Sequence, residues 1–498
     1  MRTRGPPGPG SVSMGYVRTA DDRASWRVLV VCLAAGVTTL LDQSVLTIAL
    51  PSLRESLHAG ATDVQWIVSG YSLAFGLALV PGGSLGDARG RKGLFLVGLV
   101  TFVVFAVVAA TGANAGVVIV ARLVQGAGAG LVNSQVIGTI QDVFHGVGRT
   151  RALGMYAVVA GVSSALGPAL GGVLVSLAGP GAGWRWCLLL SVPCGVVTLV
   201  LAARRLPQPR RVSEGRLDGW GLLCVAVLTV SSMMPFITGT HVGWWVAGVV
   251  GSVVALVVLH RRRVRTGKVP LVHPALTRSA PFVLGTVVAM AQFGSAMAAS
   301  LVLVLFLQSG LGMSALTAAA VTLPSAVAMV ASSAIAWRVV RRIGSHAVTL
   351  GTGLGIVMLL AGALVVAVVP VPVLPVALAV VQLAWGAANG LSLSPNQARV
   401  LQHAPAEAAG VAGAILQMSQ RVAAAVCLSA ISGVYLRAET PEAAFIHASL
   451  VCAGLLVGAL VACVVLARID ARSTSDGAPR PPRLVAGTGA TGRGQAPV

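Results

Sequence analysis

The sequence predicts an all-α membrane protein with fourteen transmembrane helices, and three observations carry that prediction. Of 498 residues, 56% are apolar, a further 60 are glycine and 10% are charged, whereas soluble domains carry roughly 25% charged residues. The apolar residues collect in fourteen runs, each near the roughly 20 residues that span a bilayer. All but five of the 35 Lys and Arg residues fall in the chain ends and in alternate gaps between runs. This pattern excludes a soluble globular enzyme, a disordered chain and a secreted disulfide scaffold.

The runs cover 28–50, 65–85, 93–111, 116–140, 152–178, 186–203, 218–237, 243–260, 281–307, 316–337, 347–368, 373–398, 408–435 and 446–467. Each is expected to be a helix, because a segment in hydrocarbon must satisfy its own backbone polar groups. Segments 1–26 and 468–498 are polar and rich in Pro and Gly, and are expected to be disordered tails. The first run carries Asp42 and leads into further spans, which argues against a cleaved signal peptide. The seven cysteines all lie inside apolar runs without metal-ligand spacing and read as small hydrophobes; no metal site is expected.

Charge sets the expected orientation. With an inside N-terminus, only Arg54, Arg185 and Arg437 lie outside, and Arg122 and Arg421 lie within spans. Cytoplasmic loops carry the excess of Lys and Arg, so both termini are expected in the cytoplasm of a multi-pass cell-membrane protein. The surplus of positive charge thus reads as topology, and no nucleic-acid partner is expected.

Of fourteen acidic residues, one, Asp42, lies well inside a predicted span. Ionisable groups at such depth are costly and mark functional sites by default. Asp42 lies about 12 Å from the outer end of span one and Arg122 about 9 Å from the outer start of span four, at 1.5 Å per residue. Similar depth predicts that they pair. Desolvation favours the neutral form of a buried carboxyl, while arginine does not release its proton in practice. Asp42 is therefore the expected proton carrier and Arg122 its modulator. Arg421 has no acid at its own depth; it reads either as facing an aqueous cavity or anionic substrate, or as capping backbone carbonyls.

Several motifs add a resemblance. The loop Gly83-Ser84-Leu85-Gly86-Asp87-Ala88-Arg89-Gly90-Arg91-Lys92 resembles the G-x-L-x-D-R-x-G-R-[RK] signature of the major facilitator superfamily, with Ala88 in place of the usual Arg. Arg122-Leu123-Val124-Gln125-Gly126 is similar to that family's R-x-x-Q-G motif. Gly154, Ser163 and Gly167-Pro168-Ala169-Leu170-Gly171-Gly172 resemble its span-five antiporter motif. Leu41-Asp42-Gln43-Ser44 through Ala49-Leu50-Pro51, together with Trp184-Arg185-Trp186 and Ser191-Val192-Pro193, resemble signatures of the fourteen-helix drug:proton antiporters. Thr47 and Ser191 stand where that branch usually has Asn.

The resemblance implies a major facilitator fold of two six-helix bundles with two extra central helices. The expected divisions are a tail over 1–26, an N-terminal bundle over 27–203, a basic loop with the two extra helices and the start of a linker over 204–268, a C-terminal bundle with its preceding linker over 269–467, and a tail over 468–498. Gating and conformational roles fall to Gly83, Asp87, Gly90, Arg91 and Lys92 in the loop. On the helices they fall to Gln125, Gly126, Gly167, Pro168, Gly171 and Gly172. Gly167-Pro168 is expected to bend span five.

The polar residues expected to line a substrate cavity are Asn133, Gln135, Gln292, Asn389, Asn396, Gln417 and Arg421, with Tyr71, Phe293 and Met297 adding apolar contact. A cavity dominated by apolar surface suits amphipathic compounds better than sugars. The expected function is proton-coupled efflux of hydrophobic or amphipathic drugs or antibiotics by alternating access. The alternative is a proton-coupled carrier for a metabolite or other small solute on the same fold. No paired acids suited to metal–diphosphate chemistry share a span, so the chain is not expected to be an enzyme. No cofactor is expected beyond the proton gradient. The expected partners are a small-molecule substrate, protons and the lipid bilayer, with the chain acting as a monomer.

Overall fold

A computed structural model describes residues 20–144, 146–206, 218–268, 270–344, 346–404 and 409–476. It holds fourteen helices long and apolar enough to cross a membrane. They are α1 (Ser25–Ser56), α2 (Ala61–Gly86), α3 (Arg91–Thr111), α4 (Ala115–Val143), α5 (Gly154–Gly179), α6 (Gly181–Arg205), α7 (Gly219–Thr238), α8 (Val242–Arg265), α9 (Ala280–Gly310), α10 (Ala315–Ile343), α11 (His346–Val368), α12 (Leu374–Gln402), α13 (Val411–Leu436) and α14 (Pro441–Arg468). The described chain begins and ends on one side, the near face; the opposite side is the far face. The protein is thus a multi-pass, all-α membrane protein.

Several helix starts follow from side-chain caps, which satisfy N–H groups left free by the first turn. Asn114 accepts from Val117 N at α4, and Ser314 accepts from Thr317 N at α10. Asp218 accepts from Gly221 N at α7 and also pairs with Arg263 at 2.9 Å, tying α7 to the end of α8. The α2–α3 turn needs Gly90, whose φ of 95° disfavours any side chain.

Two local expectations need correction. Helix begins at Ala20 and continues to Asp476, so 20–26 and 468–476 are helical rather than tail. Strong helix formers such as Ala467, Arg468, Ala471 and Arg472 carry the last helix past its apolar run. The rest of both expected tails, 1–19 and 477–498, lies outside the described residues. Helix also runs unbroken through Pro168; the non-helical residue is Gly179, with φ 76° and ψ 166°, where α5 gives way to α6. A short helix, Pro274–Arg278, precedes α9, whose last turn, Phe306–Gly310, is a wider π turn.

Helices α1–α6 pack as one bundle and α9–α14 as another. The bundles meet along two long seams, α2 against α13 and α5 against α10. The extra pair is central in sequence but peripheral in space. α7 covers the α2–α13 seam, and α8 packs on α7 with Trp244, Val250 and Val254 turned outward. In the far half, residues of both bundles share one apolar core, including Ile48, Leu301, Ala318 and Leu428. In the near half, one core around Leu79, Phe282 and Leu416 also spans both bundles, while others lie within the first bundle around Leu29, Leu99 and Val136 and within the second around Val288, Val348 and Cys463. All seven cysteines are free thiols.

Candidate functional site

Asp42 is 2% exposed and Arg122 1%. Arg122 Nη1 lies 2.6 Å from Asp42 Oδ2. The other carboxylate oxygen accepts from Gln125 Nε2 at 3.1 Å and from Ser191 Oγ at 3.2 Å. Arg122 Nη1 also donates to Gln125 Oε1 at 2.8 Å. The i, i+3 spacing on α4 puts Arg122 and Gln125 on one face, and α1, α4 and α6 converge on a single carboxylate. The Arg122 guanidinium lies 4.1 Å from the centroid of the Tyr71 ring on α2. Gly126 makes that stacking possible: a Cβ there would meet the Tyr71 backbone.

A second guanidinium sits beside this cluster. Arg421 of α13 is 7% exposed and donates from Nη1 to Oε1 of Gln43, the neighbour of Asp42. Its guanidinium lies 4.1 Å from the Phe75 ring centroid and 5.2 Å from that of Phe293. Phe75 and Tyr71 are 6.2 Å apart, so the two arginines stack on neighbouring rings of α2. Gly76 gives α13 room, since a Cβ there would meet Arg421 Cβ. Gln43 also donates from Nε2 to Ser72 Oγ at 3.4 Å. A void of about 20 Å³, enough for one water, is lined by Gln43, Thr47, Tyr71, Arg122, Met297 and Leu428, among others.

The expected residues therefore divide into groups. Asp42, Arg122, Tyr71, Phe293, Met297 and Arg421 gather at mid-depth where the bundles meet. Four of the polar residues placed in the cavity instead make contacts within a bundle. Asn133 bridges Thr39 and the Tyr156 hydroxyl, and Gln135 Nε2 donates to Gly82 O at 2.7 Å. Gln292 Nε2 donates to Thr352 Oγ1 at 2.9 Å, and Asn396 Nδ2 to Gly285 O at 3.0 Å. Each amide N–H group finds an acceptor within its bundle, while the oxygens of Gln135, Gln292 and Asn396 are buried without a partner among the described residues. Asn389 donates to Trp385 O on its own helix, and Gln417 is half-buried.

At the near face, Arg91 Nε lies 2.6 Å from Asp142 Oδ2, joining α3 to the end of α4 within one bundle. The Arg91 guanidinium passes over Gly138, where a Cβ would collide with it. Gly83 and Lys92 are half-buried, while the Asp87 side chain lies outside the described residues. Gly167 and Gly171 let α5 touch α1 at Ser44, Val45 and Ile48, and Gly172 lets α5 touch α10 at Ala315 and Ala319. At the far face, Gln308 Nε2 donates across the seam to Ile48 O at 2.9 Å, beneath a cleft of about 640 Å³ whose lining includes Arg54, Glu55, His58 and Met313. Arg185 donates to Ala110 O and Gly112 O, capping the end of α3.

Gln43, Gln125 and Ser191 are the contacts the motifs did not assign to this cluster. Gln43 is a second polar residue directly beside the membrane acid. Gln125 lies three residues from Arg122 and so shares its helix face. Ser191 supplies a hydroxyl donor at the position where the motif resemblance implies Asn. These signals were present, but each needed the partner helix to acquire meaning.

Two buried cations and one buried acid where two six-helix bundles meet define a membrane transporter with a charged central site. Residues 32–428 match the Major Facilitator Superfamily, and the chain belongs to that family. It is 31% identical over 435 residues to the probable actinorhodin transporter of Streptomyces coelicolor, covering 84% of this chain and 74% of that one. It is 27% identical over 425 residues to the tetracenomycin C resistance and export protein of Streptomyces glaucescens, covering 84% and 77%. Among solved structures, a peptide-bound POT family transporter superimposes with a TM-score of 0.65 at 16% identity, covering 88% of this chain and 96% of that one; at that identity the likeness is one of fold.

Proposed function

We propose that this chain is a proton-coupled exporter of hydrophobic or amphipathic compounds, working by alternating access. The single observation that carries the reading is the buried Asp42–Arg122–Gln125–Ser191 cluster. The carboxylate is the acid of this cluster and Arg122 is its counter-charge. Protonating the carboxylate therefore removes the charge that holds Arg122, and the helices bearing the two groups are free to repack. Proton arrival and bundle movement become one event, which is the requirement for coupling. The proton gradient is the only energy source the reading needs, and one chain suffices.

Two further observations support export. Relatives include a tetracenomycin C resistance and export protein, a cephamycin export protein and a puromycin resistance protein. The void between the bundles has largely apolar walls, Met297, Leu301 and Leu428 facing Gln43 and Arg122. The surplus of Lys and Arg on the near face supports a cytoplasmic location for both ends in the cell membrane.

The test is Asp42→Asn in everted vesicles with an imposed pH gradient. Wild type is expected to accumulate an amphipathic fluorescent dye and to lose that uptake with an uncoupler. Asp42→Asn is expected to reach the membrane in normal amount and to show no gradient-driven uptake. Normal uptake by the variant removes Asp42 from the coupling step.

A further inference from the structure

Arg421 has a property that the Asp42 cluster does not explain. It is a permanent cation, more than nine-tenths buried. Among the described residues, its one hydrogen-bond acceptor is a neutral amide oxygen, that of Gln43. A guanidinium has five N–H donors. Among the described residues, no second acceptor meets its other nitrogens. Two aromatic faces, Phe75 and Phe293, flank the charge. Asp42 is already committed to Arg122, Gln125 and Ser191. The mid-depth site therefore carries one more positive charge than negative.

A buried charge is normally paired, because leaving it alone in low dielectric is expensive. Among the described residues the charge faces one amide oxygen and two rings, of which Phe75 is buried and Phe293 half-buried. Those are the features of a site for a ligand rather than of a completed ion pair: a cation with donors to spare, a half-buried ring beside it and a neighbouring amide. Resting on the exporter reading, we infer that Arg421, Gln43, Phe75 and Phe293 form a recognition site for planar aromatic compounds bearing one negative charge, such as a carboxylate or an ionised phenol. The anion completes the charge balance at Arg421, and the rings take the aromatic body. A cationic amphiphile would instead add a third positive charge beside Arg122 and Arg421.

The experiment uses the full chain in lipid nanodiscs, in chloride-free buffer at one fixed pH with no gradient. Isothermal titration calorimetry compares 2-naphthoate with its neutral isostere 2-naphthamide. Wild type is expected to bind naphthoate at least tenfold more tightly than the amide, about 1.4 kcal/mol. Arg421→Lys is expected to keep the preference and Arg421→Gln to reduce the ratio to near one. Equal wild-type affinities, undetectable naphthoate binding, or a preference that survives in Arg421→Gln overturns the inference. The wild-type ratio decides the matter even if Arg421→Gln fails to fold. Because no pH gradient is present, this test stands or falls independently of the Asp42 coupling test.

Discussion

Arg122 and Arg421 lie on neighbouring rings of the same helix, each about 4 Å from an aromatic face, yet their remaining surroundings differ. Arg122 belongs to the N-terminal bundle and is closed by a carboxylate from its own bundle. Arg421 belongs to the C-terminal bundle and reaches across the seam to an amide of the other bundle. One is a charge whose counter-charge can be neutralised by a proton. The other is a charge that no proton within the protein can alter. The proposed division of labour follows: coupling at Arg122 and ligand charge at Arg421.

Substitutions break or sharpen that contrast. The largest effect is expected at Asp42→Ala, which leaves Arg122 buried without its carboxylate; breaking a buried pair costs about 3–5 kcal/mol. Thermal unfolding in detergent should show this loss, and Asp42→Asn, which keeps an oxygen acceptor, should lose clearly less. Gln43→Ala comes next, with loss of one hydrogen bond to a charged group, worth about 1.5–3 kcal/mol. It should weaken the hold of α13 on the first bundle in the same unfolding assay and reduce the anion preference less than Arg421→Gln does, because Arg421 keeps its charge.

Gly126→Val follows, at about 1–3 kcal/mol for overpacking. It pushes α4 off the Tyr71 backbone, so uptake of charged and neutral dyes should fall together. Gly76→Val is the matching change at Arg421 and should act chiefly on naphthoate binding. The smallest effect is expected at Phe75→Leu, which removes one cation–π contact of about 0.5–2 kcal/mol and should lower naphthoate affinity severalfold. If Gly126→Val and Gly76→Val affect all ligands alike, the two arginines act as one site.

Much of this architecture is legible along the chain. A 20-residue apolar run has no alternative to helix in lipid, so the fourteen spans and their order could be read directly. Asp42 and Arg122 could be paired because depth in a span is a matter of counting residues. Rotation about a helix axis is less readable in a wholly apolar environment, since no polar face distinguishes lipid from protein. Asn133, Gln135, Gln292 and Asn396 have the residue types of cavity walls but turn toward helices of their own bundles. The junction between α5 and α6 falls at Gly179, whose positive φ a continuous helix cannot absorb.

Residue order alone settled that the chain crosses the membrane fourteen times and that one acid lies deep within it. Those are consequences of solvation, which acts on each segment separately. Which neighbours surround that acid, that Gln43 spans the seam to Arg421, and that the two extra helices sit at the edge were decided only by packing. Contacts between segments distant in sequence depend on the close approach permitted at Gly126 within one bundle and at Gly76 between the two, and such complementarity exists only once the helices have come together.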